Sequence, residues 1–256
     1  MSTRNFIVIA ILILLAAAAL IPAGCQGERT ISYEGGTYTG QLKGGKPHGE
    51  GTWTHPDGDR YEGQWEDGLR HGQGHITFPD GTTYEGGFKE GLAHGFGVLT
   101  SPTGLSYEGE FEEGLAHGWG RKVNPDGTVY DGQFKEGRYH GEGTLTYPDG
   151  TKYEGEFAAD MFNGFGVLTT PDGTRYEGEF ENDQFHGYGV FEYPEDQYYE
   201  GEFKDGKFHG QGTMYYPDGA VYEGQWEEGK FHGQGTLTFD DGSKLEGTWE
   251  EHEFVE

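Results

Sequence analysis

Residues 199–221 read YEGEFKDGKFHGQGTMYYPDGAV, and this stretch decides the fold. Its opening Tyr-Glu-Gly returns every 23 residues, at Tyr38, Tyr61, Tyr84, Tyr107, Tyr130, Tyr153, Tyr176, Tyr199 and Tyr222, with Thr39 and Asp131 in the place of Glu. A truncated copy starts at Leu245. A fixed period of this length marks a repeat array and not one globular core. Positions within a repeat are numbered from the tyrosine, which is position 1.

Each copy is punctuated twice. Positions 19 to 21 are Pro-Asp-Gly in six of the nine full copies, as at Pro148-Asp149-Gly150. Proline presets φ, aspartate bonds its own backbone and glycine takes a positive φ, so this is a turn. Position 8 is glycine after an acidic residue in most copies (Asp67-Gly68, Glu136-Gly137), which marks a second turn. The runs between are short and rich in Tyr, Phe, Trp, Thr and Leu, as strands are. Two turns and two strands make each repeat a β-hairpin. The predicted fold is all-β, an elongated single-layer antiparallel β-meander of tandem hairpins with about 20 strands.

Alternation sorts the side chains by face. Tyr, Gly and Phe or Trp at positions 1, 3 and 5 (Tyr61, Gly63, Trp65; Tyr222, Gly224, Trp226) share one face. Glu or Gln at positions 2 and 4 share the other. The second strand carries His at 11 and Gly at 12 and 14 (His71, Gly72, Gly74; His232, Gly233, Gly235). Glycine weakens a strand unless something needs the room, and here rings are expected to lie across the bare backbone.

These residues resemble the MORN repeat, whose core is similar to Tyr-Glu-Gly-Gln-Trp at 61–65 followed by His-Gly-Gln-Gly at 71–74. The resemblance covers residues 31–256. It implies a twisted antiparallel sheet used for protein contacts and scaffolding, and in some members for membrane association. Some members carry a lipid kinase or methyltransferase domain beside the repeats. Here the pattern takes up the residues after the leader, and no such activity is expected. Two copies depart from the motif: Asn163 replaces His, and Glu195-Asp196 replaces Asp-Gly, where a longer or looser outer turn is expected.

Residues 1–25 are of another kind. Arg4 precedes an apolar run from Phe6 to Ile21, then Pro22-Ala23-Gly24-Cys25. A charged start, an apolar centre and small residues before a break form an export signal. Cys25 is the only cysteine, which excludes an intramolecular disulfide. Its position resembles the lipobox of bacterial lipoproteins, although Pro22 stands where leucine is usual. An uncleaved anchor and free secretion are the alternatives. The expected location is the outer side of the cytoplasmic membrane or the envelope. Residues 26–37 then form a spacer with a partial repeat, 38–244 the nine repeats, and 245–256 a truncated cap, as arrays need atypical ends.

Lys and Arg total 17 against 45 acidic residues, a net charge of −28. That field repels nucleic acid and anionic headgroups. It suits basic partners or cations; in the simpler reading it keeps an exposed sheet soluble.

Catalysis finds little support. Equivalent His lie two strands apart, roughly 9.6 Å at about 4.8 Å per strand. Zinc needs its nitrogens at about 2.0–2.1 Å, so two such His cannot share an ion. Carboxylates at positions 2 and 4 stand about 6.8 Å apart, inside the range of inverting glycosidases. Yet the pair recurs along an open face with no pocket to raise a pKa. No phosphate loop or nucleophile elbow is present. The chain reads as a non-catalytic binding or scaffolding module without cofactor, its partner another protein or a second copy, with a cation or glycan binder as the alternative.

One column singles out a docking face. Position 13 is Glu or Gln in most copies but aromatic at Phe96, Trp119, Phe165 and Tyr188. Three of these copies carry Val98, Val167 or Val190 at position 15, where Thr is usual. Both positions should project from the polar face, in two apolar patches on either side of repeat 5.

Overall fold

The computed structural model describes residues 27–256. The leader and Cys25 lie outside the described residues. Among these there is no helix, and twenty-one strands run from β1 (Arg29–Tyr33) to β21 (Glu253–Phe254). Each strand pairs antiparallel with the next in sequence, giving one open meander. A repeat contributes one strand from position 23 to 6, such as Lys152–Ala158, and one from 9 to 17, such as Met161–Thr169.

The turn chemistry explains the hairpins. Asp67 and Gly68 have φ of 49° and 98°, both left-handed, as a two-residue type I′ hairpin turn requires. The Gly68 N–H then donates to the Pro47 carbonyl of the preceding repeat at 2.9 Å, so each turn tip docks on its neighbour. Repeats 6 and 7 place Asp160 and Asp183 where glycine is usual. Their carboxylates accept the backbone N–H of Tyr139 and Phe162 at 2.8 and 2.7 Å, and this added bond offsets the left-handed strain.

The outer turns close on themselves. In the Pro-Asp-Gly copies the Tyr147 N–H donates to the Thr151 carbonyl at 2.8 Å, and the Asp149 carboxylate accepts the Thr151 N–H at 2.8 Å. The turn at Glu195-Asp196 corrects the expectation of a longer loop. Its closing bond, Tyr193 N–H to the Gln197 carbonyl, is kept at 2.8 Å. Glu195 and Asp196 both adopt left-handed φ, 72° and 61°, so strain and not length distinguishes this copy.

The core is a file of rings on one face. Tyr130 meets Phe134 of its own repeat edge-on at 5.0 Å, and Phe157 of the next repeat edge-on at 5.0 Å. The contact with the next repeat recurs from Tyr38 to Trp249, linking every repeat to its neighbour. Edge-to-face pairs add about 0.5–1.5 kcal/mol each beyond area burial. Each position 1 hydroxyl donates to the carbonyl three residues on, as Tyr130 to Gln133 at 2.8 Å. Where position 5 is tryptophan, its indole N–H gains a carbonyl from the preceding repeat, as Trp65 to Gly51 at 3.1 Å.

The glycines of the second strand serve two purposes. An alanine Cβ at Gly143 would lie 2.5 Å from the Tyr130 hydroxyl oxygen and 2.7 Å from its ring, so the tyrosine covers the position 14 glycine. The expected ring-over-backbone packing therefore holds at position 14. Position 12 needs glycine for another reason: Gly141 has φ 58°, the left-handed residue of a bulge. Gly132 pairs with Gly143 and Phe134 with Tyr139, so three residues on one strand, 140–142, face the single Gln133 on the other.

Candidate binding face

The bulge builds the polar face. Its extra residues carry the position 13 N–H away from the regular ladder, and the position 4 side chain accepts it. In seven repeats Glu or Gln does so at 2.8–3.5 Å, from Gln64 to the Gln73 N–H through Gln225 to the Gln234 N–H. Both residue types supply the carbonyl-type oxygen the bond needs, which explains why they interchange. Gln225→Ala is expected to lower stability by about 1 kcal/mol and Gln225→Glu by less than about half that, read by chemical denaturation. Equal losses would show that this acceptor does not matter.

Position 4 holds the N–H of Trp119, Phe165 and Tyr188, Gly87 offers Phe96 no such acceptor, and in all four the position 13 side chain stands outward. Phe96, Trp119, Phe165 and Tyr188 are 50, 53, 52 and 53% exposed, large for rings on a soluble surface. Val98, Val167 and Val190 lie beside them, half-buried, each cross-paired with position 2 carboxylates, as Val167 is with Glu154 and Glu177. Tyr188 donates its hydroxyl to Glu200 at 2.9 Å, which raises the pKa of the phenol. Repeat 5 carries Glu142 at the equivalent place, between the two aromatic groups.

The structure also places residues that the sequence reading passed over. Position 10 holds Tyr139, Phe162, Phe185, Phe208 and Phe231, which stack flat on the position 1 tyrosines at 3.6–4.0 Å. Five aromatics in five successive copies were the available signal. In repeat 2 Arg70 takes this place, its guanidinium 5.5 Å from the centre of the Tyr61 ring. Leu69, Leu92 and Leu115 at position 9 are 45, 51 and 50% exposed. Alternation from Arg70, which faces the rings, sets Leu69 on the polar face.

The histidines are spread out. His71, His117, His186 and His232 each pair with the position 6 glutamate of their own repeat at 3.2–3.5 Å. No three His, Cys, Asp or Glu side chains among the described residues converge on a point that could hold a metal. Tyr61, Gly63, Trp65, Gly72, Gly74, Tyr222, Gly224, Trp226, Gly233 and Gly235 all fall on the ring face or the bulge.

A sheet with a file of tyrosines on one side and a glutamate-lined bulge on the other is the frame of a tandem repeat protein. The MORN repeat model matches nine times in succession, at residues 38–60, 61–83, 84–106, 107–129, 130–152, 153–175, 176–197, 199–221 and 222–244. The chain belongs to the MORN repeat family, a family of repeat modules that bind proteins or membranes and are not themselves catalytic. No curated protein matches. Among solved structures, a mutant of the TCP10 domain of Danio rerio CPAP is similar at 15% identity. That match covers 86% of this chain and 99% of that one, with a TM-score of 0.40. The SAS-4 TCP domain of Drosophila melanogaster, solved with a proline-rich motif of Ana2, is similar at 12% identity, covering 92% and 99%, with a TM-score of 0.27. Nothing about function follows from either.

Proposed function

We propose that this chain is a non-catalytic protein-binding or scaffolding module, held at a membrane on the outer side of the cytoplasmic membrane by its N-terminal leader. The observation that carries the binding role is the set of half-exposed rings at Phe96, Trp119, Phe165 and Tyr188, on the face opposite the buried rings of positions 1 and 5. Contiguous exposed apolar area marks interfaces, and Trp and Tyr are favoured anchors there. The tether rests on the apolar run from Phe6 to Ile21 and on Cys25 as an acylation site.

The test is capture of partners from membranes of the source cell by the full chain and by a Phe96→Gln, Trp119→Gln double variant. Gln already fills position 13 in repeats 2, 8 and 9, so the fold should stand. Loss of captured protein with an unchanged sheet spectrum is the expected result. Capture that survives, or a variant that unfolds, overturns the face. Detergent partitioning and intact mass of Cys25→Ser in the same preparations read the tether. A variant still membrane-bound with its leader attached rules out the lipid.

A further inference from the structure

We infer that repeats 6 and 7 form a site for an extended basic protein segment carrying arginine or lysine at every third residue. This rests on the proposed binding role and names the chemistry of one partner.

The bulge sets up a row that crosses five strands. Glu156 accepts the Phe165 N–H at 3.4 Å, and Phe165 is cross-paired with Glu179. Glu179 accepts the Tyr188 N–H at 3.5 Å, and Tyr188 is cross-paired with Glu202. Carboxylate and half-exposed ring therefore alternate: Glu156, Phe165, Glu179, Tyr188, Glu202. Of the two acceptor oxygens on each of these carboxylates, one meets the backbone. None of the three has a basic side chain in salt-bridge range among the described residues, whereas Glu154 and Glu177 in the next column are paired with Lys152 and Arg175.

No other part of the array repeats this row. In repeats 3 and 4 it reads Gly87, Phe96, Glu110, Trp119, Gln133, with a single carboxylate. In repeats 8 and 9 it reads Glu202, Gln211, Gln225, Gln234, Thr248, with a single carboxylate and no ring.

The chemistry of the row selects its occupant. A cation over an aromatic face is attracted by the ring quadrupole, and a carboxylate on either side adds charge and hydrogen-bond acceptors. The planar guanidinium can stack on the ring and bond a carboxylate at once. A second copy of this chain would bring a net charge of −28 against the same carboxylates, so self-pairing here is opposed. Anionic lipid and nucleic acid are repelled in the same way.

Spacing then fixes the partner's conformation. Phe165 and Tyr188 stand two strands apart, about 9.6 Å. A chain in polyproline II conformation presents every third residue on one side, about 9.3 Å apart. A β-strand repeats its side chains at about 6.8 Å and would lose register after one contact.

The test uses the full chain, titrated by calorimetry with two synthetic peptides of one composition, one with arginine at every third position and one with its arginines in a block. The spaced peptide is expected to bind at least about tenfold more tightly than the blocked one. Phe165→Gln with Tyr188→Gln should weaken it about tenfold, and Glu179→Gln, which keeps the backbone bond, should weaken it measurably. Glu246→Gln, an exposed residue in the truncated terminal copy, should leave it unchanged. Equal binding of both peptides, indifference to the ring pair, or an equal loss in Glu246→Gln would overturn the inference. Membrane partners still captured through Phe96 and Trp119 in that event would leave the general binding role standing.

Discussion

Raising the pH above about 10 is expected to unfold the array steeply, because nine tyrosines hold it together in their neutral form. Burial raises the pKa of every position 1 phenol, to about 12 at Tyr84 and Tyr222. The others shift in the same direction for the same reason, desolvation being the largest cause throughout. In the unfolded chain these phenols ionise near their ordinary value of about 10. Between that value and the folded one the folded state holds protons that the unfolded state has released. Stability therefore falls as pH rises through this window, by about 1.4 kcal/mol per pH unit for each tyrosine. Nine acting together give a slope of roughly 12 kcal/mol per pH unit, more than a marginally stable chain withstands for long. Below pH 10 the same groups contribute their full stability.

The check is to follow phenolate absorbance and the far-ultraviolet sheet signal in one alkaline titration. The two should change together over a narrow pH range. Phenolate appearing broadly near pH 10 while the sheet persists would show that the rings are not protected as the packing requires. Tyr130→Phe removes one of the nine ionisations and should make the transition shallower, at a cost of about 1 kcal/mol at neutral pH for the hydroxyl bond to Gln133.

The second large effect belongs to glycine. Gly155→Ala is expected to cost about 3 kcal/mol or more, although its φ is open to any residue. The added Cβ would lie 2.5 Å from the Gly166 Cα and 2.7 Å from the Phe165 carbonyl oxygen. Both are backbone atoms of the adjacent strand, which can yield only by parting the ladder. The same Cβ would lie 2.6 Å from the Tyr153 hydroxyl oxygen, whose bond to the Glu156 carbonyl would be lost as the ring moved. Gly206→Ala is the contrast. Its φ is +78° and nothing lies within 4 Å of the added carbon, so only the left-handed strain of about 1–2 kcal/mol remains. Asp160 and Asp183 occupy the equivalent turn position already. Chemical denaturation of the two variants, with amide exchange to localise the loss, decides the matter. A larger loss in Gly206→Ala would mean that conformation, and not close strand approach, dictates the glycines.

The period of 23, the two turns and the alternation of rings and carboxylates are local properties, and each was legible in the sequence. Strand pairing between neighbours follows from them, since a short turn can only fold a strand back on the one before it. The outward position of Phe96, Trp119, Phe165 and Tyr188 could be read from parity alone because position 13 alternates with the position 14 glycine that the position 1 ring covers. What parity could not reveal was the bulge. Two extra residues between Tyr139 and Gly143 leave no trace in the hydrophobic pattern, and only the pairing of Gly132 with Gly143 and Phe134 with Tyr139 exposes them. From that bulge follow the left-handed Gly141, the position 4 acceptors and hence the alternating row of repeats 6 and 7. The glutamates looked in the sequence like one solvated stripe. The tertiary structure divides them, tying one column to the backbone and pairing part of the other with cations, because hydrogen-bond geometry is set by the neighbouring strand and not by the residue's own segment.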